Sequence, residues 1–126
     1  MNYLHAYHAG NFADVVKHVL LLQLLEQMSQ KPKPYYILDA YAGRGLYSLA
    51  STEAKKTGEA ENGVAKLADF VAKNPQTRLP KAVQTYLDDL NFAKSFYDKH
   101  VYPGSPWWVA HHIEKENAKD IPISNR

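Results

Sequence analysis

Between Phe12 and Ser29 the apolar positions Val15, Val16, Val19, Leu20, Leu22 and Leu25 cover most of a helical circumference. Asn11 ahead of them is a good N-cap, and Asp14 supports the first turn and its positive dipole end, so a helix is predicted over Phe12 to Ser29. A helix apolar nearly all round expects cover on more than one side. Tyr35 to Leu38 is a short apolar run after two lysine-proline pairs; it reads as a buried parallel strand that ends in Asp39 and opens into the turn Ala42-Gly43-Arg44-Gly45. Leu46 to Ala54 is expected to begin a helix. From Thr57 to about Arg78 a polar helical pattern follows, with Val64, Leu67, Ala68, Phe70 and Val71 on its apolar face, and Asn74-Pro75 stops it. Pro80 suits the first position of another helix, whose Val83, Tyr86, Leu87, Leu90, Phe92, Ala93, Phe96 and Tyr97 are expected in the core rather than as a base-stacking platform.

Tyr102-Pro103-Gly104-Ser105-Pro106 predicts a turn, with Ser105 as N-cap and Pro106 opening a short helix through Trp107, Trp108, Val109 and Ile113. His111 and His112 are expected to be exposed helix residues rather than ligands, since adjacent residues point in different directions. The opening, Met1 to Gly10, reads as an ordered loop, and Asn117 to Arg126 as a polar tail. Two successive amphipathic helices without an intervening strand depart from strand-helix alternation, which predicts an α/β domain with a small helical insertion.

The 126 residues suffice for one domain with a single core. Cysteine is absent, which removes disulfides, thiolate metal sites and cysteine nucleophiles and is compatible with a cytoplasmic location. No secretory leader is recognisable, and Val15 to Leu25 is too short an apolar run to span a bilayer, so no membrane partner is expected. A formal charge of +2 neither demands nor excludes nucleic acid. Lys31, Lys33, Arg44, Lys55 and Lys56 form no dense run and read as a solvated face. His5, His8 and His18 lack compact ligand spacing, so no metal is expected from them.

The glycine turn is the candidate ligand site, because ligands of open α/β sheets bind beyond the carboxyl ends of strands. It has no Gly-Lys-Ser/Thr ending for a phosphate cradle. As a dinucleotide fingerprint it fails twice: Ser48 stands at the last position, and the acids about 20 residues on, Glu59 and Glu61, follow no strand. An Asp39-x-x-x-Gly43-x-Gly45 turn also suits S-adenosylmethionine, whose charged methionine end needs close backbone and a carboxylate; the alternative is an ordinary strand-to-helix turn. Asp14 and His18 fall on one face of the first helix, either as an ion pair with Lys17 beside it or with the histidine at a cofactor pocket.

Three stretches carry a resemblance: His8-Ala9-Gly10-Asn11-Phe12-Ala13-Asp14-Val15-Val16-Lys17-His18, Leu38-Asp39-Ala40-Tyr41-Ala42-Gly43-Arg44-Gly45, and Tyr102-Pro103-Gly104-Ser105-Pro106. In order and spacing, and with Thr57-Gly58-Glu59 in addition, they resemble the amino-terminal part of the bacterial 23S ribosomal RNA adenine-N6 methyltransferase J (RlmJ) family. The resemblance implies a Rossmann-like S-adenosylmethionine-dependent methyltransferase, apparently truncated. Its cofactor-side core would be residues 1–50, its helical insertion 51–100, and its return to the core with a divergent tail 101–126. Carried over by position, His18, Lys17, Asp39, Tyr41, Ala42, Gly43, Gly45 and Ser105 are implied to border the cofactor, and Tyr3 to contact the target adenine. Tyr41 stands where the family usually has histidine. The implied partner is 23S ribosomal RNA. The Asp-Pro-Pro-Tyr motif with which the family grips the flipped base does not occur in this sequence, so the chain is expected to be the first part of an enzyme: a natural truncation, a frameshifted gene whose tail after Glu116 is out of register, or a half that pairs with a complementing polypeptide. The reading from another class is a non-catalytic remnant or nucleic-acid-binding module.

Overall fold

The computed structural model describes residues 8–31, 45–51 and 58–119. They form helix α1 (Phe12–Ser29), strand β1 (Leu46–Ser48), a 3₁₀ turn (Glu59–Asn62), helix α2 (Val64–Lys73), helix α3 (Lys81–Phe96), strand β2 (Val101–Pro103) and helix α4 (Ser105–Lys119). The strand expected over Tyr35 to Leu38, and Tyr3, Asp39, Tyr41, Ala42 and Gly43, lie outside the described residues.

Helix α1 starts and stops where its pattern predicts. Asn11 holds an extended backbone, and its side-chain oxygen accepts from the Asp14 amide at 2.7 Å, satisfying one of the first-turn donors. Pro80 is the cap of α3 rather than its first helical residue, with φ −54° and ψ 148°. Helix α2 is shorter than the expected Thr57 to Arg78, since Glu59–Asn62 is a separate 3₁₀ turn and Asn74 caps the end after Lys73, its side chain donating back to the Phe70 carbonyl at 2.9 Å.

The sheet corrects two local readings. Leu46 to Ser48 is not the start of a helix but a strand, paired antiparallel with Val101 to Pro103 in the register Leu46 with Pro103 and Tyr47 with Tyr102. Backbone bonds from Gly104 to the Gly45 carbonyl, 2.8 Å, and from Leu49 to the His100 carbonyl, 2.7 Å, extend the ladder at both ends. Tyr102 and Pro103 therefore belong to a strand and not to a turn. Pro103, which has no amide proton to give, sits at the last position of the strand. Downstream, α4 continues to Lys119, beyond the short helix expected from the tryptophans.

Helices α3 and α4 pack on α1, and β2 packs on α3. The core between them is Leu22, Tyr47, Tyr86, Leu87, Leu90, Tyr102 and Trp108, joined by Ala9 and Val64. Only part of the α3 aromatic set takes part. Tyr86 is buried with Leu87, Leu90 and Ala93, whereas Phe92, Phe96 and Tyr97 are exposed, so the expectation that all were core holds for one face of the helix. Phe92 and Phe96 instead stack on each other at 5.8 Å between centroids. His111 and His112 are corrected the other way, since His112 is buried and the His111 side chain is only 13% exposed. No described helix is long and apolar enough to cross a membrane.

The entry to α1 and the entry to α2 meet backbone to backbone. The Val64 amide donates to the Gly10 carbonyl at 2.8 Å. Gly10 has φ +73°, a conformation that a side chain opposes, and a β-carbon on Gly63 would run into the Gly10 carbonyl oxygen and the Asn11 backbone. Gly63→Ala is therefore expected to lose about 1–3 kcal/mol of stability, or more if the two segments separate. Asn11→Ala is expected to lose about 1 kcal/mol through the cap alone. Urea unfolding of the two variants should rank them in that order.

Candidate functional site

His18 lies in the third turn's approach of α1, on the face turned to α3 and α4. It is buried, 2% exposed, and both ring nitrogens are engaged: Nδ1 lies 2.8 Å from the Tyr102 hydroxyl and Nε2 3.3 Å from Ser105 Oγ. The Tyr102 hydroxyl is in turn 2.9 Å from that of Tyr86. Trp108 closes the group. Its ring stacks on Tyr86 at 5.1 Å and lies 5.6 Å from the His18 ring, while its indole N–H donates to the Pro103 carbonyl at 3.0 Å. One strand residue, Tyr102, and two residues of α4, Ser105 and Trp108, thus converge on the single imidazole that α1 supplies.

Proton accounting orients this chain of bonds. Burial pushes both phenols up, Tyr86 and Tyr102 alike, so both keep their protons. In the arrangement that gives each phenol proton an acceptor, Tyr86 donates to Tyr102. Tyr102 then gives its own proton to His18 Nδ1. The imidazole is left with its proton on Nε2, directed at Ser105 Oγ. At 3.3 Å that last contact is at the long end of the hydrogen-bond range, so Tyr102 holds the ring while Ser105 touches it loosely.

Gly45 reaches the same place through the sheet, because its carbonyl accepts from Gly104, the residue before Ser105. The structure therefore brings His18, Ser105 and Gly45 together. Lys17, next to His18 on α1, is partly buried. Tyr102 and Tyr86 are the members that sequence reasoning missed: Tyr102 was legible as part of a motif, and Tyr86 only as an apolar position of α3.

A second polar cluster ties the chain's first motif to a later one. Glu59 accepts from His8 Nδ1 at 2.7 Å and from the Asn11 side chain at 3.2 Å, and the Gly10 amide donates to Asp14 Oδ2 at 3.1 Å. The hydrogen bond from His8 holds the Glu59 carboxyl below its ordinary value of 4.5, against a smaller opposing effect of burial. The His8-to-His18 stretch and the Thr57-Gly58-Glu59 stretch are thus in contact through this acid.

Comparison with known proteins adds the following. Residues 32–121 match the family described as "Ribosomal RNA large subunit methyltransferase D, RlmJ". "Ribosomal RNA large subunit methyltransferase J" of Haemophilus influenzae is 36% identical over 120 residues, which is 93% of this chain and 40% of that protein. The Escherichia coli K12 protein of the same description is 36% identical over 106 residues, 84% of this chain and 36% of that protein. The chain spans about two fifths of the length of these curated relatives.

Removing the middle of the phenol chain should cost more than removing its end. Tyr102→Phe leaves two buried groups, Nδ1 of His18 and the Tyr86 hydroxyl, without their partner and is expected to lose about 1–3 kcal/mol. Tyr86→Phe leaves Tyr102 donating to His18 and should lose about 0.5–1.5 kcal/mol; equal losses in chemical denaturation would contradict the orientation given above. For Glu59 the folded carboxyl releases its proton more readily than the unfolded one. Its contribution is accordingly full above the ordinary glutamate range and is lost as pH falls through the lowered folded value. Glu59→Gln should therefore flatten the acid limb of a stability-against-pH curve and leave its slope near neutrality unchanged.

Proposed function

The chain belongs to the RlmJ family of ribosomal RNA large subunit methyltransferases, and from that premise we propose that it forms the cofactor-side part of a Rossmann-like enzyme using S-adenosylmethionine to methylate an adenine N6 amine of 23S ribosomal RNA. The observation that carries the reading is the convergence of His18, Ser105 and the Gly45 backbone, three positions from three separate stretches of sequence, on one place. An imidazole N–H and a hydroxyl beside a glycine-bearing backbone fit the polar methionine end of that cofactor, which needs hydrogen bonds and close backbone rather than a phosphate cradle. Because the His18 to Ser105 contact is long, both groups can exchange it for a ligand without releasing the ring from Tyr102.

In this reading Lys17, Asp39, Tyr41, Ala42 and Gly43 also serve the cofactor, and Tyr3 serves the target adenine. The bound cofactor supplies an activated methyl group on its sulfonium, so the chain's residues have to place rather than activate it. His18 and Ser105 hold the cofactor, and the rigid phenol chain behind His18 keeps the imidazole proton on Nε2, facing that ligand. The residues 1–50 would form the cofactor-side core and 51–100 the helical insertion. No Asp-Pro-Pro-Tyr stands in the 126 residues, so in this reading they supply cofactor contacts and not the grip on the flipped adenine. A cytoplasmic location follows from the ribosomal substrate.

Calorimetric titration of the purified chain with S-adenosylmethionine tests the assignment. We expect saturable binding, weakened about tenfold or more, equivalent to about 1.4 kcal/mol, in His18→Gln and in Ser105→Ala. Circular dichroism establishes that both variants remain folded. A folded wild-type chain that binds no cofactor would overturn the reading. Cofactor binding without transfer of labelled methyl to unmodified 23S RNA, restored by a polypeptide bearing Asp-Pro-Pro-Tyr, is the outcome expected for the complementation.

A further inference from the structure

Along α1 and α4, on the far side of the His18 to Ser105 contact, the two helices bring together a different set of groups. Glu26 of α1 and His112 and Glu116 of α4 place one ligand atom each within 4.8 Å of one another. They line a cavity of about 500 Å³ between α1, α3 and α4. We propose that this cluster binds a divalent transition-metal ion of the zinc or manganese class, independently of the cofactor reading.

The spacing is that of a helix-borne chelate. His112 and Glu116 are four residues apart, one turn, and so present their side chains on the same face of α4. Glu26 completes the set from the facing helix. Ligand bonds of about 2.0–2.2 Å require donor atoms about 3–4 Å apart, a distance that ordinary side-chain rotation reaches from the separation observed. His112 is also braced as metal-binding imidazoles are: it is 5% exposed, and the Ser29 hydroxyl lies 2.7 Å from Nε2, which sets the plane of the ring. The cavity leaves room for water to complete the coordination shell.

The neighbouring charges are sorted in a way that favours an ion. Lys115 also lines the cavity, but its ammonium sits 3.0 Å from both oxygens of Asp89 on α3. His111 turns to the same Asp89 at 3.5 Å. Lys81 reaches Glu26 at 4.0 Å from an exposed side chain, a contact that an ion readily displaces. Two carboxyl groups and the His112 imidazole then offer three ligand atoms to one dipositive ion. The imidazole favours zinc, manganese and their neighbours over magnesium or calcium, which prefer all-oxygen shells. Bound there, the ion clamps α1 to α4, the helices that carry His18 and Ser105.

The test is a titration of the chelator-treated 126-residue chain with ZnCl2, and in parallel with MnCl2 and MgCl2, by calorimetry and thermal unfolding. One zinc per chain is expected, with a Tm that rises with metal concentration. Because His112→Ala removes a buried side chain, the decisive variants are the near-isosteric Glu26→Gln and Glu116→Gln at partly exposed positions. Each is expected to weaken zinc binding by about tenfold or more while leaving the metal-free circular dichroism unchanged. NMR should show the His112 ring resonances shifting on zinc addition. No saturable zinc binding would overturn the proposal, as would binding undiminished in both glutamine variants, which would place the ion on histidines elsewhere. Equal stabilisation by MgCl2 would do the same, because a magnesium site has no use for the imidazole.

Discussion

The hydrogen-bonded run from Tyr86 through Tyr102 to His18 is the constraint on which the described structure turns. Three polar groups lie in an apolar core, where each would be costly without a partner, and they satisfy one another only in a single arrangement of α1, α3 and β2. Leucines in these places would pack with more tolerance. A phenol 2.8 Å from an imidazole does not allow the helices to slide by a residue. Because β2 runs directly into α4, fixing Tyr102 also fixes Ser105 and Trp108, and the stacking of Trp108 on Tyr86 closes the loop back to α3. The same bonds that specify the packing specify which nitrogen of His18 carries its proton, so stability and the proposed cofactor contact share one set of atoms.

A second junction does for the start of the chain what the phenols do for its centre. Gly10 and Gly63 approach as backbone, and Glu59 gathers His8 and Asn11 beside them. Without that junction the cap of α1 would be free to vary in direction. The orientation of α1, and with it of His18, is therefore set at two points, its N-terminal turn and its middle.

Local pattern was enough to place α1 and α3, and not for what joins them. Asn11 and Asp14 announce the start of α1, and the apolar row from Val83 to Tyr97 announces α3 without separating its buried Tyr86 from its exposed Phe92, Phe96 and Tyr97. Leu46 to Ser48 is too short to show a period, and its strand character comes from pairing with Val101 to Pro103, which lies far along the chain. His112 could not be placed by its own neighbours either, since its burial depends on Glu26 and Ser29 of another helix. For the site, His18 and Ser105 were legible through family motifs. Tyr86 was legible only as a ring in an apolar row, with no signal that its hydroxyl would matter.

Helix α1 carries apolar residues on two sides. Its His18, Leu22 and Leu25 are buried, and α1 packs on α3 and α4, while Phe12, Val16, Leu20 and Leu24, each one turn from the next, form an exposed apolar stripe. A helix with one neighbouring layer needs an apolar stripe on one side and polar residues on the other. The composition of α1 is written for cover on both sides, as a helix has when it lies between a helical layer and a sheet. The described sheet, two strands of three residues, is too small to be the whole of such a layer. The apolar stripe therefore supports the proposed placement of α1 inside a larger α/β core, with His18 at the inner boundary and the cofactor-side backbone next to it.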